Sequence, residues 1–323
     1  MTGRFSRNKC PWLLMLCLAV VLGGCGGAQR SADEEFGDEY APDDGLSAGQ
    51  GREMKAADYF EAGVKAYRGQ DFKRALKLFK RSLKVNPTLG PAYFNIAYIH
   101  ESQGELELAR EWYQRASEKG NSFGDGLVNI GRLELRAGNK AAALEKFERA
   151  IQIEALNGEA HLNLAHDARI RQDYKSADRH VRSALKENSQ NRKAYEVLAR
   201  VYYDLKRYEL AKLVCLTGLK IDGTSPKLHN TLGLVYLKLE AVRDALRSFE
   251  QAVQHDATFA PAHLNIGAIT FNYRDYESSY RHFSQALKAE PNNRDAALSK
   301  AVAARALERF DEAEDGYKTL LRS

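Results

Sequence analysis

The sequence predicts an all-α fold, an α-solenoid of about eight helix–turn–helix repeats, and two observations support this. The first is a strict period. From Ala56 onward the same residue types return every 34 residues to the end of the 323-residue chain, without an insertion or deletion. Units of this size stack so that each one buries its apolar face against its neighbours. The repeats start at residues 56, 90, 124, 158, 192, 226, 260 and 294.

The second observation is a fixed pattern of residue size within each repeat. Position 8 is always Gly or Ala, position 20 is Ala or Ser, and position 24 is usually large. Small residues let two antiparallel helices, A and B, approach closely, and the large residue fills the remaining gap. The residues at positions 8 and 24 are, repeat by repeat, Gly63 and Phe79, Ala97 and Tyr113, Gly131 and Phe147, Ala165 and Val181, Ala199 and Cys215, Gly233 and Phe249, Gly267 and Phe283, and Ala301 and Tyr317.

This pattern resembles the tetratricopeptide repeat (TPR) family over residues 56–323. In one repeat Gly233 and Tyr236, followed by Ala245, Phe249 and Ala252, fit the family signature. The resemblance implies a right-handed superhelix with a long concave groove, of which eight repeats make about one turn. It also implies a protein that binds other proteins.

The N-terminal residues 1–24 predict a signal peptide. Basic residues precede an apolar run over residues 12–22, which is too short to span a bilayer because a span needs about 20 residues. The run ends in Leu22-Gly23-Gly24-Cys25, which resembles the lipobox of bacterial lipoproteins. The resemblance implies a lipid-modified Cys25, and Gly26 in place of Asp implies the outer membrane. The alternative is an ordinary secretory signal with an incidental cysteine.

Residues 25–55 predict a flexible tether. They hold eight acidic and three basic residues and few apolar ones, so they cannot bury a core. A random coil of this length reaches roughly 30 Å, and about 100 Å when fully extended. The acidic run is interpreted as a solvated spacer, with a binding tail as the alternative.

Charge and cysteine content exclude several classes of function. The net charge of +5 is small for this length, so it does not indicate a nucleic-acid partner. Cys215 is the only cysteine after residue 25, which excludes a disulfide framework or a cysteine-rich zinc site in the repeats.

The A helices are expected to line the concave groove and to bind a partner there. Position 6 is Asn95, Asn129, Asn163 and Asn265 in four repeats. An Asn amide has a donor and an acceptor, which match the backbone of an extended peptide. These residues resemble the asparagine ladder of O-linked N-acetylglucosamine transferases; the alternative is that they satisfy local helix polarity. The other groove candidates are Phe94, Tyr98, Arg132, Arg136, Arg169 and Arg200.

The sequence predicts no catalytic residue, no metal site and no cofactor. It has no phosphate-binding loop, no nucleophile elbow and no zinc-protease motif. His161 and His263 occupy position 4, where a packing role is expected, and His161 and His166 are wrongly spaced to bind a metal together. Cys215 occupies a core position and is expected to be an inert thiol.

These features together predict a non-enzymatic adaptor, a lipoprotein of the outer membrane whose repeats face the periplasm. It resembles the pilotin lipoproteins of type IV pili, which implies a role in assembling an envelope machine such as a pilus, a secretin or a motility complex. The alternative is a glycan-binding or wall-binding module, or a hydrolase adaptor, in polysaccharide export or peptidoglycan turnover.

Overall fold

The computed structural model describes residues 55–120 and 123–322, which form sixteen α-helices and no strand. The predicted signal peptide, the lipidation site and the tether up to residue 54 lie outside the described residues. The helices are α1 (Ala56–Arg68), α2 (Phe72–Val85), α3 (Gly90–Ser102), α4 (Leu106–Lys119), α5 (Asp125–Arg136), α6 (Lys140–Ile153), α7 (Gly158–Ile170), α8 (Tyr174–Glu187), α9 (Arg192–Asp204), α10 (Tyr208–Ile221), α11 (Pro226–Lys238), α12 (Val242–His255), α13 (Ala260–Asn272), α14 (Tyr276–Ala289), α15 (Arg294–Ala306) and α16 (Phe310–Arg322).

The helices follow the sequence period. The odd-numbered helices, called A helices below, fill positions 1–13 of the repeat, and the even-numbered B helices fill positions 17–30, with shifts of one residue at α5 and α16. Consecutive helices pack against each other, and the A helices of repeats 3 to 5 also contact the next A helix. The predicted all-α solenoid is therefore confirmed.

Positions 8 and 24 meet inside every repeat, and they do so in two ways. In repeats 1, 3, 6 and 7 a glycine faces a phenylalanine ring: a Cβ on Gly233 would lie 2.5 Å from the ring of Phe249, closer than any contact allows. In the other four repeats alanine faces Tyr113, Val181, Cys215 or Tyr317. Phenylalanine thus occurs only opposite glycine, whereas alanine faces side chains that range from cysteine to tyrosine.

The turn from each A helix to its B helix has the same backbone conformation in all eight repeats. Position 15 adopts a positive φ, which glycine allows at Gly104 and Gly138 (82° and 83°). The other six repeats use Gln70, Gln172, Lys206, Glu240, Arg274 and Glu308, with φ between 59° and 62°. The following N–H bonds the carbonyl five residues earlier, as Asp173 does to Ala168 at 2.8 Å. This bond closes the helix end in a Schellman motif.

The two ends of the solenoid differ from its middle. The C-terminal helix α16 is rich in polar residues, among which Lys318 pairs with Glu314 at 2.6 Å. It also exposes Phe310 and Leu321, which are 64% and 87% accessible.

Among the described residues, no helix combines the length and the apolar character needed to cross a membrane.

Candidate functional site

The A helices lie on the inner, concave side of the curved solenoid. Neighbouring A helices contact each other in the middle repeats, whereas neighbouring B helices are not among the strongly contacting pairs. The side on which consecutive helices are closer has the smaller radius. Its most open side chains are at position 9, where Tyr98, Arg132 and His166 are exposed. The concave surface is therefore the candidate binding site.

The position-6 asparagines use part of their hydrogen-bonding capacity within their own helices. Asn129 and Asn163 each donate from Nδ2 to the carbonyl four residues earlier, at 3.0 Å and 2.8 Å. Arg132 Nη1 also donates to Asn129 Oδ1 at 3.2 Å. Local use of the amide is thus observed in repeats 3 and 4. Contact with a peptide stays a prediction, and a peptide would have to compete with these bonds.

The other two asparagines of the predicted ladder are half-buried. Asn265 donates from Nδ2 to Oδ1 of Asn230 at 2.9 Å, which joins the A helices of repeats 6 and 7. Asn95 lies in the same register in repeat 2. The four residues therefore share one position of the A helix and differ in their contacts.

Three groove arginines are paired with carboxylates, two of them with carboxylates of neighbouring A helices and Arg200 with one of its own helix. Arg136 Nη1 lies 2.8 Å from Glu101 Oε1 in the preceding repeat. Arg169 Nη1 lies 2.6 Å from Asp204 Oδ2 in the following repeat, and Arg200 Nε lies 3.8 Å from the other oxygen of Asp204. These pairs brace the inner surface. An acidic partner segment would therefore have to displace internal carboxylates, which the sequence analysis did not foresee.

The predicted aromatic residues of the groove have unequal access to solvent. Phe94 is half-buried, and its ring packs against Tyr113 and Phe123 with centroids 5.3 Å and 5.8 Å away. Tyr98 is 36% exposed and packs edge-on against Tyr67. Tyr98 is thus open to a ligand, whereas Phe94 mainly packs against other rings of repeat 2.

The groove becomes apolar toward its C-terminal end. Leu298 and Val302 of α15 are 48% and 37% exposed. They border a shallow cavity that Ala268 and Phe271 of the preceding A helix also line. This apolar part of the site was not predicted from the sequence. Leu298 and Val302 could have indicated it, because they occupy positions 5 and 9, which face the groove.

Two buried histidines have partners that the sequence analysis missed. Nδ1 of His161 lies 2.9 Å from Nδ1 of His180, and Nδ1 of His263 lies 3.0 Å from Nδ1 of His282. His161 and His263 also approach backbone carbonyls through Nε2, so their Nδ1 atoms accept. The identical spacing of 19 residues in repeats 4 and 7 was the available signal.

Burial accounts for the titration of these rings. Burial and the neighbouring histidine lower the pKa of both His180 and His282 to about 4. Two paired imidazoles are too few for a closed metal site. Among the described residues, no group of three or more His, Cys, Asp or Glu side chains could hold a metal ion. The expected packing role of His161 and His263 agrees with their burial.

Three other ionisable side chains of the repeats, Cys215, Glu134 and Asp167, are buried or hydrogen-bonded. Burial raises the pKa of the Cys215 thiol to about 12, which suits an inert core residue. Glu134 accepts hydrogen bonds from Asn139 and Arg110, which lower its pKa. Burial raises the pKa of Asp167, but bonds from Lys140 and Arg171 outweigh it and keep the pKa below its usual value. The three groups thus serve packing between helices.

Comparison with known families gives a match over more than half of the chain. A tetratricopeptide repeat model matches residues 60–122, 162–226 and 271–323. A curated relative is the Photosystem I assembly protein Ycf3 of Parasynechococcus marenigrum (strain WH8102), 35% identical over 83 residues. That stretch is 25% of this chain and 48% of the relative, so the match spans about half of the relative's length.

Solved structures with the same architecture include PilF and PilW. PilF of Pseudomonas aeruginosa superposes with a TM-score of 0.54 and 24% identity, over 62% of this chain and 90% of PilF. PilW, described as a type IV pilus biogenesis factor, gives a TM-score of 0.53 and 15% identity, over 62% of this chain and 93% of PilW. At these identities the likeness establishes the fold.

Proposed function

This chain belongs to the tetratricopeptide repeat family, and from that premise we propose that it is a membrane-anchored scaffold that binds a protein partner in its concave groove. The family is generally one of protein-interaction scaffolds. The observation that carries the proposal is the inner surface formed by the A helices, which offers aromatic, charged and apolar contacts in succession. An extended segment running along it could use all three.

The order of these contacts indicates what the partner segment looks like. Tyr98 and Arg132 offer stacking and charged hydrogen bonds at the N-terminal end, and Leu298 and Val302 offer apolar contact at the other. A segment with polar and acidic residues at one end and an apolar anchor at the other would match both. Arg136 and Arg169 are already paired with Glu101 and Asp204. A partner carboxylate that displaced either of these would leave it unpaired, so the acidic residues of the partner are expected near Arg132.

The proposal also assigns a place to the protein. A lipid on Cys25 would hold the chain at the outer membrane, with the repeats in the periplasm. Stable anchoring needs two or more acyl chains, because one is only marginally retained. The fold shared with PilF and PilW supports a role in the assembly of an envelope machine, such as a pilus, a secretin or a motility complex.

Photo-crosslinking in intact cells tests the groove and the anchor together. A photoreactive amino acid replaces Tyr98, Arg132 or His166 on the concave surface, and Glu148 or Arg179 on exposed B-helix positions as matched controls. The groove positions should capture one protein partner that the controls do not capture.

The same cells are then fractionated. The captured complex should sediment with the outer membrane, and the Cys25→Ser variant should move it to the soluble fraction or leave unprocessed precursor. Capture only from the B-helix positions would reject the groove. Capture of glycan in place of protein would favour a wall-binding module, and membrane retention of Cys25→Ser would reject the lipid anchor.

A further inference from the structure

The fifth B helix, α10, carries exposed leucines where the other B helices carry polar residues. Leu210, Leu213 and Leu216 are 43%, 60% and 39% exposed. Leu213 and Leu216 occupy positions 22 and 25 of the repeat; in the seven other repeats position 22 is charged and position 25 is charged or polar. The fold therefore does not require leucine at these positions. Single apolar residues are normal on a protein surface, whereas a contiguous group marks an interaction site.

The three leucines form one stripe with positive charge at each end. At 100° per residue they fall within an arc of about 120°, and Lys220 lies in the same arc, one turn beyond the last leucine. Lys206 and Arg207 precede the first turn of the helix. These three cations are exposed and form no ion pair within the described residues. Glu209, the one acidic residue of α10, is already paired with Lys212 at 2.5 Å.

The stripe lies on the outer, convex side of the solenoid, because it belongs to a B helix and the A helices form the concave side. The neighbouring B helix α8 adds the exposed residues Lys175, Arg179 and Lys186. The last two occupy positions 22 and 29, the positions of Leu213 and Lys220, so they project to the same side. A flat surface can touch this convex side, whereas it cannot enter the concave groove.

We propose that α10 docks on a membrane surface that contains anionic headgroups. The leucines would enter the boundary between headgroups and acyl chains, and the cations of α10 and α8 would lie among the phosphates. Apolar burial and attraction to anionic lipids act together in this mode of binding. The contact turns the concave groove away from the bilayer and leaves it open to a partner. It requires neither a lipid on Cys25 nor the groove partner.

Other occupants fit the stripe less well. A two-fold dimer uses the same patch on both copies. An antiparallel pair of α10 helices centred on Leu213 would place Lys206 of each copy opposite Lys220 of the other, and such like-charge contacts are costly. A single helix of another protein could match α10, but it would leave the positive charge of α8 uncovered. A plane of headgroups reaches both helices.

Labelling with a photoreactive lipid tests the proposal on the full chain. The vesicles consist of phosphatidylcholine with about one quarter phosphatidylglycerol, and a trace phospholipid carries a diazirine near the glycerol end of one acyl chain. Mass spectrometry maps the labelled peptides. Peptides of α10 should carry at least fivefold more label than those of α4 and α14, and at least fivefold more than in phosphatidylcholine alone. Label on residues 1–54 is scored separately, so failure of the lipid anchor and failure of this contact are distinguishable.

Two variants remove the leucines and the charge separately. Leu213→Gln/Leu216→Gln should reduce the label on α10 at least fivefold. Lys206→Gln/Lys220→Gln should reduce it at least threefold, because it removes attraction to the phosphates. Other repeats already carry glutamine at both of these lysine positions, so the fold accommodates the change.

A matched control removes leucines of similar exposure outside the stripe. Leu106 and Leu156 are 46% and 49% exposed, and Leu106→Gln/Leu156→Gln should leave the label on α10 unchanged. Circular dichroism verifies that all variants are folded. Equal label on α10, α4 and α14, or an unchanged label in Leu213→Gln/Leu216→Gln, would overturn the proposal.

A photoreactive apolar amino acid in place of Leu213 identifies the occupant in cells by the mass of the adduct. A phospholipid adduct is expected. A dimer of the chain would assign the stripe to a second copy, and an adduct with a different protein would assign it to a protein partner. Either result would overturn the membrane contact.

Discussion

The neighbouring repeats 5 and 6 fill the space between their helices A and B with different residues. Repeat 5 places Ala199 against Cys215, and repeat 6 places Gly233 against Phe249. All four positions are buried. A protein interior is packed to nearly constant density, so the space between helices A and B must be filled from one side or the other. The comparison shows that the pair at positions 8 and 24 is smaller in repeat 5, so other side chains must fill part of the interior there.

Residues of repeat 6 fill the space that the small residues Ala199 and Cys215 leave in repeat 5. Cys215 packs with Leu228 and Leu232 of α11, and Tyr195 and Tyr236 lie against the same cluster. Repeat 5 therefore depends on repeat 6 for part of its core. Phe249 of repeat 6 also packs with the next repeat, in one cluster with Ala262 and Ile266 of α13, but it supplies a whole ring to the interior.

The largest expected effect is the loss of that ring. Phe249→Ala should lower the free energy of unfolding by about 3–5 kcal/mol, because it leaves a cavity that the surrounding helices cannot close. Cys215→Ala removes one atom from the equivalent place and should cost about 1 kcal/mol. Urea unfolding followed by circular dichroism measures both. Equal losses would show that repeats 5 and 6 do not differ as described.

The next effect is steric. Gly233→Ala places a Cβ 2.5 Å from the ring of Phe249, and the displacement that follows should cost about 1–3 kcal/mol. The same position in repeat 5 already carries a methyl group at Ala199, so alanine by itself is compatible with the A helix.

A double variant sharpens this comparison. Gly233→Ala/Phe249→Cys reproduces the residues of repeat 5, and its loss should be smaller than the sum of the two single losses by about 0.5–3 kcal/mol. The reciprocal variant, Ala199→Gly/Cys215→Phe, applies the test to repeat 5. Strict additivity in both repeats would contradict the idea of a shared volume.

The smallest expected effect is a pH dependence of stability that arises in repeats 4 and 7. Each holds a histidine pair whose outer ring, His180 or His282, has its pKa lowered to about 4. An unfolded histidine has a pKa near 6.5, so between these values the unfolded chain binds more protons. The contribution of these two histidines to the free energy of unfolding is therefore complete above pH 6.5, and it is lost as the pH falls toward 4.

The measurement compares the wild type with His180→Gln/His282→Gln at pH 7 and pH 5. Because both rings are only half-buried and solvent screening weakens the effect, we expect a wild-type loss of about 1 kcal/mol per pair. The free energy of unfolding of the variant should fall less than that of the wild type between pH 7 and pH 5. Identical pH dependence in the two proteins would show that the histidine pairs do not affect stability.

The sequence predicted the A helices correctly because their register follows from one period and from the size of two residues. It also gave Asn95, Asn129, Asn163 and Asn265 a common helix position, which the structure reproduces. It did not predict that Arg136 pairs with a carboxylate 35 residues earlier. Such a pair depends on the angle between neighbouring repeats, and the periodic pattern does not encode that angle.

The shared turn conformation at position 15 was also missed. Glycine at Gly104 and Gly138 could have predicted a positive φ. Residues such as Arg274 and Gln172 could not, because residues with a side chain usually avoid this conformation. The packing of helices A and B imposes it in every repeat. A tertiary constraint here overrides the preference of the individual residue.

The sequence by itself determined the repeat, its eightfold repetition and which helix face is buried, because apolar periodicity and residue volume act locally and recur. Only the tertiary structure decided which groove side chains remain open. Tyr98 and Arg132 face solvent, Phe94 is partly covered, and Arg169 is engaged by Asp204. The physical reason is that exposure and pairing depend on side chains about 34 residues apart, brought together by the curvature of the stacked helices.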